Sequence, residues 1–137
     1  MISNELVQAA ILAKANSTPV IQTYLPSGTV LEYNWQGADQ NFPSARLHIE
    51  NQFDAAEDIG SCPSTVEFSF YIFSEQGTSK QADQIAGAIV SGFRGLSFSR
   101  NNIKFVRVKI LENIKAIRDT ERTWRAQVRC RSVIHNT

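Results

Sequence analysis

The chain has 137 residues, 42% hydrophobic and 20% charged, with 14 Lys and Arg against 13 Asp and Glu, the composition of a single globular domain spanning 1–137. A chain of this size buries roughly two-thirds of its unfolded surface and can hold a core without disulfides or a structural metal, which excludes a large multidomain enzyme. The formal charge of +1 argues against holding nucleic acid by bulk attraction alone, though local patches remain compatible with it.

Ile2, Leu6, Ala9, Ala10 and Ala13 fall on one helical stripe, with Ser3 placed as N-cap and Asn16 to Pro19 as the stop. This segment lacks the basic start of a signal peptide, and its apolar run from Ala9 to Ala13 is too short to span a bilayer, so a soluble, unexported polypeptide is expected. Between Pro19 and Pro43 the pattern weakens to a loop and one short strand, in which Leu31, Tyr33 and Trp35 alternate after the turn Pro26-Ser27-Gly28. Strands follow where Ala45, Leu47 and Ile49 alternate with Arg46, His48 and Glu50, and where Val66, Phe68, Phe70 and Ile72 alternate with Glu67, Ser69, Tyr71 and Phe73. The stretch from Asp54 to Pro63 between them, with Glu57, Asp58 and Gly60, reads as an exposed acidic loop.

A second helix is the clearest element. Thr78 and Gln81 have capping-box spacing, Ala82, Ile85, Ala86, Ile89, Val90 and Phe93 share one face, and Gly95 ends it. Two last strands have Val106, Val108 and Ile110 in phase and Trp124, Ala126, Val128, Cys130 and Ser132 alternating with Arg125, Gln127, Arg129 and Arg131. Asn113 to Arg122 reads as a protruding hairpin loop. The expected class is α+β: an antiparallel sheet of about four to five strands with two helices packed on one face.

Chemistry-bearing motifs are sparse. Cys62 and Cys130 lie far apart with no Cys or His at ligand spacing, so neither a zinc site nor a redox CxxC is expected, and a reducing compartment fits. The stretch Phe70 to Lys80 runs from strand to helix start, but it lacks the leading glycine of a phosphate loop and its Lys follows the hydroxyl residues. His48 and His135, the only histidines, have no local partner in a known catalytic pattern. Glu57-Asp58 lacks the repeated oxygen spacing of a calcium site. No catalytic residue, metal or cofactor is expected.

Charge is distributed unevenly. Residues 1–100 contain five basic and ten acidic side chains, net −5, while residues 101–137 contain nine and three, net +6. Arg107, Lys109, Arg125, Arg129 and Arg131 are expected on one face of adjacent strands, where they repel unless something negative lies opposite. One candidate is the acidic stretch of a second copy, Asp54, Glu57 and Asp58, meeting this strand head to tail. The other is nucleic acid on a face that would also show Tyr71, Phe73 and Phe105 beside the arginines, although the RNP1 pattern is absent. Charges balanced within one protomer are the third reading.

The element order, with Pro43-x-Ala45-x-Leu47-x-Ile49, the run Val66 to Phe73, and Gly77-Thr78-Ser79 leading into Ala82-x-x-Ile85-Ala86-x-x-Ile89, resembles the tail-terminator (tail-completion) proteins of long-tailed bacteriophages. That resemblance implies a virion structural protein and not an enzyme: a homo-hexameric ring that caps the tail tube, stops its polymerisation and offers a surface to the head–neck connector. It would assemble in host cytoplasm, with DNA passing only in transit and no membrane contact. The different-class alternative is a small nucleic-acid-binding α+β domain using the aromatic and arginine face.

Overall fold

The computed structural model describes residues 2–26, 29–32, 42–54, 64–75, 77–121 and 123–136. Its elements are α1 (Asn4–Ser17), α2 (Pro19–Gln22), β1 (Val30–Glu32), β2 (Ser44–Asp54), β3 (Ser64–Ser74), α3 (Lys80–Phe93), β4 (Phe98–Arg100), β5 (Ile103–Arg118) and β6 (Trp124–Asn136). The strands form one sheet in the order β1-β2-β3-β6-β5-β4, curled into a half-barrel. β1 runs parallel to β2 and every other pair is antiparallel.

This corrects the expected architecture. The sheet has six strands and is mixed, and a third, four-residue helix joins the expected two. Pairing direction is not written in side-chain alternation, which is why a parallel β1 is invisible in the sequence. β4 spans only Phe98–Arg100 and shows no apolar–polar alternation to mark it. Its turn had a signal, however: Asn101 and Asn102 take φ of 54° and 62° between the paired Arg100 and Ile103, the two left-handed residues of a tight hairpin turn.

The core forms between the inner sheet face and the helices. Val66, Phe68, Phe70 and Ile72 of β3 and Ala126, Val128 and Cys130 of β6 are buried in the expected phase. α3 lies on β3, β5 and β6 and buries all six residues of its expected face. Phe93 packs 5.2 Å from the Phe70 ring centroid and 6.4 Å from those of Phe68 and Phe98. α1 covers β1 and β2, but on a different stripe from the expected one. Val7, Ala10, Ile11 and Ala15 are buried, whereas Leu6 and Ala9 are exposed, because an alanine-rich segment fixes its rotation poorly until packing decides it. The Asn16 side chain then acts as a strand neighbour: it donates to Val30 O at 3.0 Å and accepts from Val30 N at 3.1 Å.

Two local expectations fail. Gln81 does not close a capping box; its Oε1 accepts from Ser74 Oγ at 2.7 Å, and Ser79, not Thr78, occupies the cap position. Residues 113–118 are strand rather than loop, so the β5–β6 connection is short. β5 changes register against β6 three times, between Val106 and Lys109, Ile110 and Glu112, and Ile114 and Ile117. Each irregularity shifts the inside–outside phase and erases the alternation that marks a strand.

Candidate functional site

The outer face of the sheet carries most of the predicted basic residues. Cross-strand register places Arg125, Gln127, Arg129 and Arg131 of β6 opposite Phe73, Tyr71, Ser69 and Glu67 of β3. On the other side they face Ile117, Ile114, Glu112 and Lys109 of β5. Strand alternation dictates this clustering, but the negative groups opposite the arginines belong to the same chain. Arg129 lies 2.6 Å from Glu112, 3.4 Å from Glu50 and 3.7 Å from Glu67, and Arg131 lies 3.6 Å from Glu67. Arg125 lies 3.9 Å from Asp119 and 6.0 Å from the Tyr71 ring centroid.

A polar network extends from these pairs. Ser69 Oγ donates to Glu50 and accepts from Gln127 Nε2, whose NH2 also reaches the Tyr71 hydroxyl at 3.3 Å. The hydrogen bond to Glu112, followed by the attraction of Glu50, holds the Arg129 guanidinium above its ordinary pKa. Glu50 sits at the register shift between Ile49 and Asn51 of β2, one strand removed from β6, so its reach to Arg129 depends on strand order, which alternation does not carry. Glu67 lies on the polar phase of β3, as its alternation predicts, but only the β3–β6 pairing sets it opposite Arg131.

One end of this face is amphipathic. Phe73, Arg125 and Ile117 form one cross-strand row and Tyr71, Gln127 and Ile114 the next. Ile114 and Ile117 are exposed, the latter by 53%. Phe105, expected beside these aromatics, is instead fully buried and stacked on Phe98 at 4.4 Å. The β5 bulge is the cause: Ile103 and Phe105 point inward before it and Val108 after it.

That bulge separates Arg107 from the other arginines. Arg107 has φ of 46°, a left-handed conformation costing a residue with a Cβ roughly 1–2 kcal/mol. Here β5 leaves β6 and pairs with the turn after α3: Gly95 N donates to Val108 O and Val108 N to Leu96 O, both at 2.8 Å. Gly95 has φ of 69°, as a helix-terminating glycine does. The result is a groove of about 440 Å³ lined by Arg94, Gly95, Arg107, Val108, Lys109 and Ile110. No sequence motif marks Arg94 for this groove, because only the β5 bulge brings Arg107 beside it.

Of the acidic partners expected for the basic strand, Glu57, Asp58 and the side chain of Asp54 lie outside the described residues, as do Tyr33, Trp35 and Cys62. His48 is half-buried on β2 opposite Ser69, and His135 is exposed near the end of β6. Among the described residues no group of three or more His, Cys, Asp or Glu could hold a metal ion, and no helix is long and apolar enough to cross a membrane. Cys130 is buried, and burial, with a smaller contribution from Glu50, pushes its thiol pKa up to about 12.

These features define a mixed half-barrel with an ion-paired outer face and a basic groove that meet at Lys109, and that fold is shared. A chain from the virion of a native gene transfer agent particle superposes on this one with a TM-score of 0.74, covering 98% of this chain and 100% of that one at 16% identity. A second solved chain gives a TM-score of 0.63 at 17% identity, covering 97% and 96%. No protein-family model and no curated protein matches the sequence, so the likeness is one of fold.

Proposed function

We propose that this protein is a structural component of a phage-like virion, and that within it the chain caps the tail tube as a ring of identical copies. The observation that supports the virion part of this reading is the end-to-end match to a virion chain, 98% against 100% with a TM-score of 0.74; the capping role rests on the resemblance noted in the sequence. Its hexameric form and its tail-tube and head–neck partners come from the resemblance noted in the sequence, as does assembly in host cytoplasm.

The outer sheet face supports a protein contact. Phe73, Tyr71, Ile114 and Ile117 around Arg125 combine aromatic, aliphatic and guanidinium groups in the proportions that protein interfaces favour. The arginines there are already compensated by Glu50, Glu67, Glu112 and Asp119. The contact therefore draws on apolar burial more than on charge attraction. Sedimentation at micromolar concentration, alone and with tail tubes, tests the reading, with end-on particle imaging to count copies. A ring on tube ends is expected, and Ile117→Asp is expected to weaken it. A protein that stays monomeric and leaves tube ends bare overturns the proposal.

A further inference from the structure

We propose that the groove between the end of α3 and the β5 bulge binds the sugar–phosphate backbone of nucleic acid without reading its sequence. From residue 84 to 111 the chain carries five basic side chains, Arg94, Arg100, Lys104, Arg107 and Lys109, and no acidic one. All five are exposed. None makes an ion pair among the described residues, whereas the nearby Glu67 and Glu112 are taken by Arg129 and Arg131. Three of the five line one groove, brought there by a backbone that holds Arg107 at φ 46° and docks Val108 onto the turn behind Arg94. Like charges gathered at a strained bulge are disfavoured in the free protein and are relieved by an anion.

The groove's chemistry separates a polyphosphate from a protein partner. Its apolar lining is the buried Val108 and the half-buried Ile110, and none of the exposed large hydrophobic residues, Leu6, Val20, Tyr24, Phe53, Ile114, Ile117 and Val133, lines it, so the side chains that project from it are the cations and not the large apolar anchor of a protein hot spot. It also lacks an exposed aromatic ring for stacking bases, which leaves phosphate contact as its mode of binding. Nucleic acid thus fits a surface different from the aromatic face suggested by sequence. The inference does not depend on ring formation: a single copy carries the groove, and a ring would repeat it.

Titration of a fluorescent random-sequence DNA duplex at a series of salt concentrations tests it. Three phosphate contacts give a log–log salt slope of about −2.7, at about −0.9 each. Removing two contacts in Arg107→Gln/Lys109→Gln shrinks the slope by about 1.8 and lowers low-salt affinity by about tenfold or more. Arg125→Gln, six residues along β6 from the Arg131 that faces Lys109, leaves both unchanged. Arg107→Gly separates binding from folding, since glycine accepts the left-handed backbone: the melting temperature is expected to rise while affinity falls. A wild-type protein without salt-dependent duplex binding, or groove variants that bind as before, overturns the inference. So does a groove variant that loses self-association while keeping duplex affinity, which would assign the groove to the acidic stretch of a second copy around Asp54, Glu57 and Asp58. A protein that forms rings but ignores duplex removes this inference alone; a monomer that binds duplex removes the ring alone.

Discussion

Cys130 shows how one strand position fixes a side chain's reactivity. The inward phase of β6 buries it in the core, and loss of hydration pushes its thiol from 9.0 up to about 12. Below pH 9 folded and unfolded chains both hold the proton; between about 9 and about 12 the folded chain alone does, so stability falls as pH rises through that window. The loss reaches about 4 kcal/mol at its upper end, at about 1.4 kcal/mol per pH unit. Denaturant titrations from pH 8 to 11 should show this decline, and Cys130→Ala should flatten it. In a Cys62→Ser background, the native protein should resist alkylation at neutral pH and react only on unfolding. Arg129 is governed by its neighbours in another way. Arg129→Gln removes the cation shared by Glu50, Glu67 and Glu112, of which Glu67 keeps Arg131, so a lower melting temperature is expected, with the difference shrinking as salt screens the carboxylates. Arg129→Glu adds a fourth carboxylate, so it perturbs the fold itself and does not isolate an interface.

At the scale of elements, α3 organises the molecule. Its periodic face meets β3, β5 and β6, and Phe93 is the residue around which Phe68, Phe70 and Phe98 gather. Phe93→Ala should cost about 3–5 kcal/mol in chemical denaturation, as a cavity in a ring cluster does. The two glycines inside α3 should respond differently. A Cβ on the exposed Gly87 meets nothing within 4 Å, so Gly87→Ala should stabilise by about 0.5–1 kcal/mol through helix propensity. A Cβ on Gly92 would sit 3.1 Å from Thr18 Cγ2 and 3.3 Å from Ile21 Cδ1, where α2 crosses α3. Gly92→Ala should therefore be less stable than Gly87→Ala, and equal melting temperatures would show that α2 yields freely.

For the whole molecule, the separation of surfaces matters more than the net charge of +1. The outer sheet face is largely neutralised within the chain and partly apolar, while the corner formed by the α3 end and the β5 bulge is rimmed by cations without acidic partners among the described residues. The first suits a neighbouring protein and the second a phosphate polymer. Selective response is the expected outcome: Ile117→Asp should alter assembly without changing duplex affinity, and Arg107→Gln/Lys109→Gln should do the reverse. Sedimentation and anisotropy on the same two variants check this.

Local periodicity carried α3, β3 and β6 in the sequence, including every buried residue of α3 but Ala88 and the inward row from Ala126 to Ser132. It also carried the clustering of Arg125, Arg129 and Arg131 on one outer face, because alternation alone dictates it. Tertiary structure decided the rest: the parallel β1, the rotation of α1, the three irregularities of β5 and the glutamates that neutralise Arg129. These depend on pairing direction, bulges and contacts between distant segments. A bulge reverses the side-chain phase beyond it without leaving a periodic trace, which is how Phe105 entered the core and Arg107 joined Arg94.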